Sequence, residues 1–222
     1  MFDTKVYWTD KFKRTAAAVK HTKQMAQNYK DAIESSYNNR KEYSKLINTN
    51  INHNKNTKFV LTDEDSVSAI ISCSKDNAGK KIAVLNFASY KNPGGMFPDR
   101  MFIKGSKAQE ECLCMESNLY NILVKCESFY EWNNSHLNNG LYLNRAIYAP
   151  DVIFTRDANI CKCDVITCAC PNFSVMKRGK ITKEDNSSVL KDRIDFVLSA
   201  AANNNVDVLI LGAYGCGGAM CC

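Results

Sequence analysis

The sequence predicts an α/β protein in which helices layer against a sheet. Short apolar runs of strand length alternate along the chain with stretches whose apolar residues recur every three or four positions. The two most apolar strand-like runs, "KKIAVLNFAS" (80–89) and "VDVLILGAYGCGGAM" (206–220), each lead into a glycine-bearing loop. In open α/β sheets such loops, at the carboxyl ends of strands, are where ligands bind. No internal repeat is present, and 222 residues suffice for one such domain with a helical extension.

Taken in order, residues 4–47 hold no Pro or Gly and carry an amphipathic helical pattern. An Asn-rich polar loop (48–58) follows, and "FVLT" (59–62) reads as a short strand. Residues 63–77 read as a short helix with an acidic start, which the helix dipole favours. The buried strand of 80–89 comes next. Ser106 and Gln109 form a capping-box pattern that starts a helix over about 107–124, with Cys112, Met115, Leu119, Ile122 and Leu123 on its apolar face. Residues 140–157 read as two strands broken at Pro150, 163–172 as a strand ending in a turn, and 186–205 as a helix.

Composition narrows the function classes. The hydrophobic share of 45% and charged share of 23% are those of a folded globular protein. A formal charge of +6 suits a phosphate-bearing ligand and is too weak to argue for nucleic-acid recognition. Eleven cysteines include three C-x-C pairs and no C-x-x-C, which is not zinc spacing, so no metal is expected. An odd cysteine count, no export signal and no apolar run of membrane length lead to the expectation of an intracellular protein with no membrane association.

The chemistry concentrates in "NPGGMFPDRMFIKGSKAQEE" (92–111). Glycine after a strand lets backbone N–H groups approach an anion. Two such loops would hold two neighbouring phosphates, as in a diphosphate; neither is a P-loop nor a dinucleotide fingerprint. Glu110 and Glu111 fall in the first turn of the helix, about 100° apart around its axis. Adjacent carboxylates disfavour each other's ionised form, and a carboxyl that keeps its proton is a general acid for a leaving oxygen. A diphosphate cradle beside such an acid points to a nucleotide-sugar bond as substrate.

The segments "VLNFASYKNPGG", "KAQEECLCMESNLYNIL", "YAPDVIFTRD", "DVITCACPN" and "VLILGAYGCG", in that order, resemble the microbial-type poly(ADP-ribose) glycohydrolases of the macrodomain superfamily. The resemblance spans about 60–218, and "NPGG…AQEE" is its specific part. It implies a three-layer α/β/α macrodomain with a mixed central sheet. It also implies hydrolysis of ribose–ribose O-glycosidic bonds to release ADP-ribose, without metal or other cofactor, from poly(ADP-ribosyl)ated proteins. Matched position by position, Glu111 is the general acid/base and Glu110 positions the ribose hydroxyls. Asn92 meets the ribose beside the scissile bond, and Gln109 belongs to the same substrate-binding motif. Gly94, Gly95 and Met96 line the first phosphate-side loop, with Met96 where the family has a third glycine. Gly215, Cys216, Gly217 and Gly218 line the second.

Together these readings divide the chain into an N-terminal helical extension (1–58) packed on a catalytic domain (59–222) that is short at its carboxyl end. The alternatives are a macrodomain that binds ADP-ribose without cleaving it and a macrodomain kept for protein interaction. Calorimetry with ADP-ribose beside a turnover assay separates the first two, and a strictly monomeric chain with intact ADP-ribose affinity counts against the third.

Overall fold

The computed structural model describes residues 11–46, 57–95, 108–172 and 181–216. Seven helices occur among them: α1 (Lys11–Asn28), α2 (Lys30–Asn38), α3 (Ser66–Asp76), α4 (Gln109–Met115), α5 (Leu119–Leu123), α6 (Glu127–Ser135) and α7 (Lys183–Asn203). The strands are β1 (Lys41–Tyr43), β2 (Ile82–Phe87), β3 (Ala146–Arg156), β4 (Asn159–Cys168) and β5 (Val208–Ile210). They form one mixed sheet in the order β1-β3-β4-β2-β5. β2 runs parallel to both β4 and β5, while β3 is antiparallel to β1 and β4.

Side-chain alternation along the strands builds the layers. Ile82 and Val84 of β2, Ile147 and Ala149 of β3 and Val165 of β4 join one core with residues of α1 to α6. Leu85, Tyr148, Ile166 and Cys168 point the other way and pack on Phe196, Val197 and Ala201 of α7. The result is the expected three-layer α/β/α arrangement. Helix α1 buries Arg14, Ala18, His21 and Met25, a seam at spacings of four and three. Helix α7 is anchored by buried Arg193, whose guanidinium donates to Asn144 Oδ1 and to the carbonyls of Ala169 and Leu141.

Local chemistry sets several boundaries. Asp65 caps α3, accepting from Val67 N–H at 2.9 Å and Ser68 N–H at 3.2 Å. Thr182 and Asp185 form a capping box at the start of α7. Asp157 takes φ 54 in the two-residue β3–β4 turn, between paired Arg156 and Asn159.

The structure departs from sequence expectation in five places. Residues 41–43 are not helix but an edge strand on β3. "FVLT" forms no strand: Phe59 and Leu61 are 91% and 99% exposed, with no sheet partner among the described residues. Residues 140–157 hold one bulged strand instead of two, because Pro150 and Asp151 (φ 55) sit where the ladder shifts between Ala149 and Val152. Helix α6 carries no marker that singled it out. Finally, the single helix over 107–124 is two, and α4 is capped at Ala108 without a side-chain bond; Ser106 lies outside the described residues.

The break at 116–118 has a tertiary cause. Thr155 N–H donates to Glu116 C=O at 2.7 Å, and Asn118 N–H to Ile153 C=O at 3.1 Å, so the segment lies along β3 beyond the end of β1. Ser117 Oγ–H takes the Leu113 carbonyl and accepts from Leu119 N–H. The Glu116 carboxylate accepts two bonds from Arg156, whose remaining donors meet Asp65 and Ser68. All five guanidinium N–H groups are thereby used, tying α3, α4 and β3 together. Among the described residues no helix is long and apolar enough to cross a membrane.

Candidate active site

The carboxyl end of β2 and the first turn of α4 meet face to face. In β2 the alternation that buries Ile82 and Val84 also puts Asn86 on the α1–α6 side, fully buried. Its Nδ2 donates to Glu110 Oε1 at 3.2 Å and to Thr167 Oγ1 at 3.3 Å. Ser89 N–H donates to Glu110 Oε2 at 2.6 Å. Glu110 is 2% exposed, and its carboxyl is pushed up to about 8. Burial is the main cause, and the charge of Glu111 adds to it. The N–H groups of Ser89 and Gly94 and the Asn86 amide act against the rise. Burial therefore favours the protonated form of Glu110.

Ser89 also organises the turn that follows. Its Oγ accepts from Lys91 N–H at 3.3 Å and Asn92 N–H at 3.2 Å. Asn92 C=O then accepts from Gly95 N–H at 3.2 Å, which leaves the half-buried Asn92 side chain at the head of the turn. Gly94 and Gly95 have φ 65 and 63, the left-handed region. A β-carbon on Gly94 would stand 2.7 Å from the Tyr120 ring, and one on Gly95 would stand 2.8 Å from Glu111 Oε1. The turn thus lies directly against both carboxyls, and Glu111 is itself 4% exposed.

Gln109, the residue before the pair, turns its amide to the strand. Phe87 N–H donates to its Oε1 at 2.8 Å, and its Nε2 donates to Leu85 C=O at 2.8 Å. The second loop leaves β5 beside this end of β2. There Gly215 is buried at φ 88 and Cys216 is exposed, its N–H bonded to Ala213 C=O. Tyr214 packs 5.5 Å from Phe87 and donates its hydroxyl to Cys168 C=O, joining the ends of β2, β4 and β5. Gly212 lies against the Phe87 ring. Met96, Gly217 and Gly218 lie outside the described residues.

The structure thus brings Glu110, Glu111, Gly94, Gly95, Asn92 and Gln109 to one strand end. Sequence reading passed over Asn86, Ser89 and Tyr214. The available signal for Asn86 was a lone amide inside "IAVLNF", and for Ser89 a serine three residues before an asparagine. No group of three or more His, Cys, Asp or Glu among the described residues is placed to hold a metal ion.

A sequence model of the family "Microbial-type PARG, catalytic domain" matches residues 11–157. No curated protein matches the chain. Among solved structures it is similar to poly(ADP-ribose) glycohydrolase (PARG) from Thermomonospora curvata, at 25% identity and TM-score 0.78, covering 94% of this chain and 82% of that one. It is similar to the Deinococcus radiodurans enzyme in complex with ADP-ribose, at 26% identity and TM-score 0.68, covering 84% and 77%. The Thermomonospora enzyme bound to the inhibitor ADP-HPD shares the fold at 24% identity and TM-score 0.74, covering 94% and 81%.

Proposed function

The chain belongs to the microbial-type PARG catalytic-domain family, and from that premise we propose how its own residues perform the glycosidase reaction. The substrate is poly(ADP-ribose), and the bond hydrolysed is the ribose–ribose O-glycosidic bond. The observation that carries this reading is the pair of buried carboxyls on the first turn of α4, packed against a left-handed glycine turn at the carboxyl end of β2.

With the substrate's phosphates beside the pair, Glu111 takes up a proton in the bound complex and gives it to the ribose oxygen that leaves. The bond from the anomeric carbon to that oxygen breaks through an oxocarbenium-like transition state. The Glu111 carboxylate then takes a proton from the water that adds to the anomeric carbon, which restores the acid and frees ADP-ribose. Glu110 binds the ribose hydroxyls. Held neutral by burial, it adds no second negative charge beside a substrate that carries phosphates. Asn92 meets the adjoining ribose, and the loops that carry Gly94 and Gly95 and that carry Gly215 and Cys216 border the diphosphate.

The physiological substrates in this reading are poly(ADP-ribosyl)ated proteins inside the cell, with no nucleic-acid sequence read. The helices before residue 58 support the domain that follows. The test is release of ADP-ribose from poly(ADP-ribosyl)ated protein by the wild type and its loss in Glu111→Ala. Binding of ADP-ribose with no turnover by the wild type would instead establish a reader.

A further inference from the structure

Gln109 sits one residue before the carboxyl pair, yet its amide is committed to the sheet. Phe87 N–H donates to Oε1, while Nε2 donates to Leu85 C=O and, at 3.2 Å, to Ser66 Oγ at the start of α3. The direction of these bonds matters. Ala88 N–H donates to Cys168 C=O of β4. Strand alternation therefore turns the polar groups of Leu85 and Phe87 toward β5. The β2–β5 ladder ends at Val84 paired with Ile210. The Gln109 amide begins where that ladder stops.

A primary amide carries a donor N–H and an acceptor oxygen side by side, the pairing that one residue's N–H and C=O, from two adjoining peptide groups, present along a strand edge. Backbone groups of a buried central strand have to be paired. We propose that Gln109 is a positioning residue whose amide stands in for the next pairing residue of β5. It pairs the last open groups of β2 and pins the first turn of α4 to the strand. In that position Glu110 reaches Ser89 N–H and Asn86, and Glu111 faces Gly95. A carboxylate could not replace it, because it has no donor for Leu85 C=O. This gives Gln109 a scaffold role.

The inference rests on the glycosidase reading only for its kinetic readout; a second readout is independent of activity. Amide exchange resolved by NMR compares Phe87 with Ala88, neighbours that bond to opposite sides of β2. In Gln109→Met, Phe87 exchange should rise at least ~10-fold while Ala88 stays unchanged. The kcat for ADP-ribose release should fall roughly 10–100-fold, with Kd for ADP-ribose within about threefold of wild type. Gln109→Glu keeps an acceptor for Phe87, so Phe87 should stay protected while kcat still falls; this variant decides the matter if Gln109→Met does not fold. Unchanged Phe87 exchange in Gln109→Met, full turnover in Gln109→Glu, or lost ADP-ribose affinity at full kcat would each overturn the proposal. A wild type that releases no ADP-ribose defeats the glycosidase reading alone, because Phe87 exchange still tests the clamp.

Discussion

Gly95 lies so close to Glu111 that a β-carbon added to it would stand 2.8 Å from Glu111 Oε1, and 3.1 Å from Glu110 Oε2. Sequence reading justified this glycine by phosphate approach. The structure adds a second reason, in that the turn must press against the two carboxyls with φ at 63. The glycine turn and the acid pair are one packed unit.

Gly95→Ala should damage the site beyond its backbone strain. The left-handed residue costs roughly 1–3 kcal/mol, and the new methyl displaces the Glu111 carboxyl. Turnover is expected to fall more than ~10-fold. Gly79→Ala is the control, because Gly79 has φ 80 with nothing within 4 Å of an added β-carbon. It should lose stability from strain alone, read by urea unfolding, and keep full turnover.

Glu111→Gln removes the acid while preserving shape. Positioned acid–base catalysis contributes typically ~10²–10⁴-fold, so kcat should drop by that range with ADP-ribose affinity retained. Turnover at the wild-type rate would take the acid role away from Glu111.

Glu110 makes stability depend on pH with a definite sign. Its folded value of about 8 lies above its ordinary 4.5. Between those values the folded chain holds a proton that the unfolded chain releases. Raising pH through that window therefore costs stability, with a limiting slope of about 1.4 kcal/mol per pH unit. The loss levels off above about 8. Glu110→Gln cannot titrate, so its melting temperature should vary less than that of the wild type between pH 5 and 8. Parallel curves would refute the assignment.

The Arg156 network should dominate the stability of the α3–α4–β3 junction. Glu116 is 1% exposed and engages Arg156 through both carboxylate oxygens. Truncating one partner of a buried pair strands the other, so Arg156→Met is expected to cost about 3–5 kcal/mol. Asp65→Ala, at a side chain 58% exposed, should cost about 1 kcal/mol, chiefly through the lost helix cap. Denaturant titration of the two variants checks the ranking.

Elements with a self-contained signal were legible. The apolar run of β2, the Asp65 cap of α3 and the adjacency of Glu110 and Glu111 depend on neighbours in the chain. The break after Met115 was not legible, since "CMESNLYNIL" carries helical periodicity throughout. It arises because Glu116 to Asn118 gain partners on β3, some forty residues away in sequence. "FVLT" failed in the opposite sense: it has strand composition but no strand beside it among the described residues.

By itself, the sequence determined the α/β class, the order of its main elements and the identity of the acid pair with its preceding glycine turn. Periodicity, caps and adjacency are written in local residue types, and the family's specific motif is nearly continuous. Only the tertiary structure decided that Asn86 and Ser89 hold Glu110, that the Gln109 amide bonds to the sheet, and that burial raises the Glu110 carboxyl. Those outcomes depend on which distant groups share a buried space, where an unpaired donor or charge is costly. That condition exists only once the layers have closed.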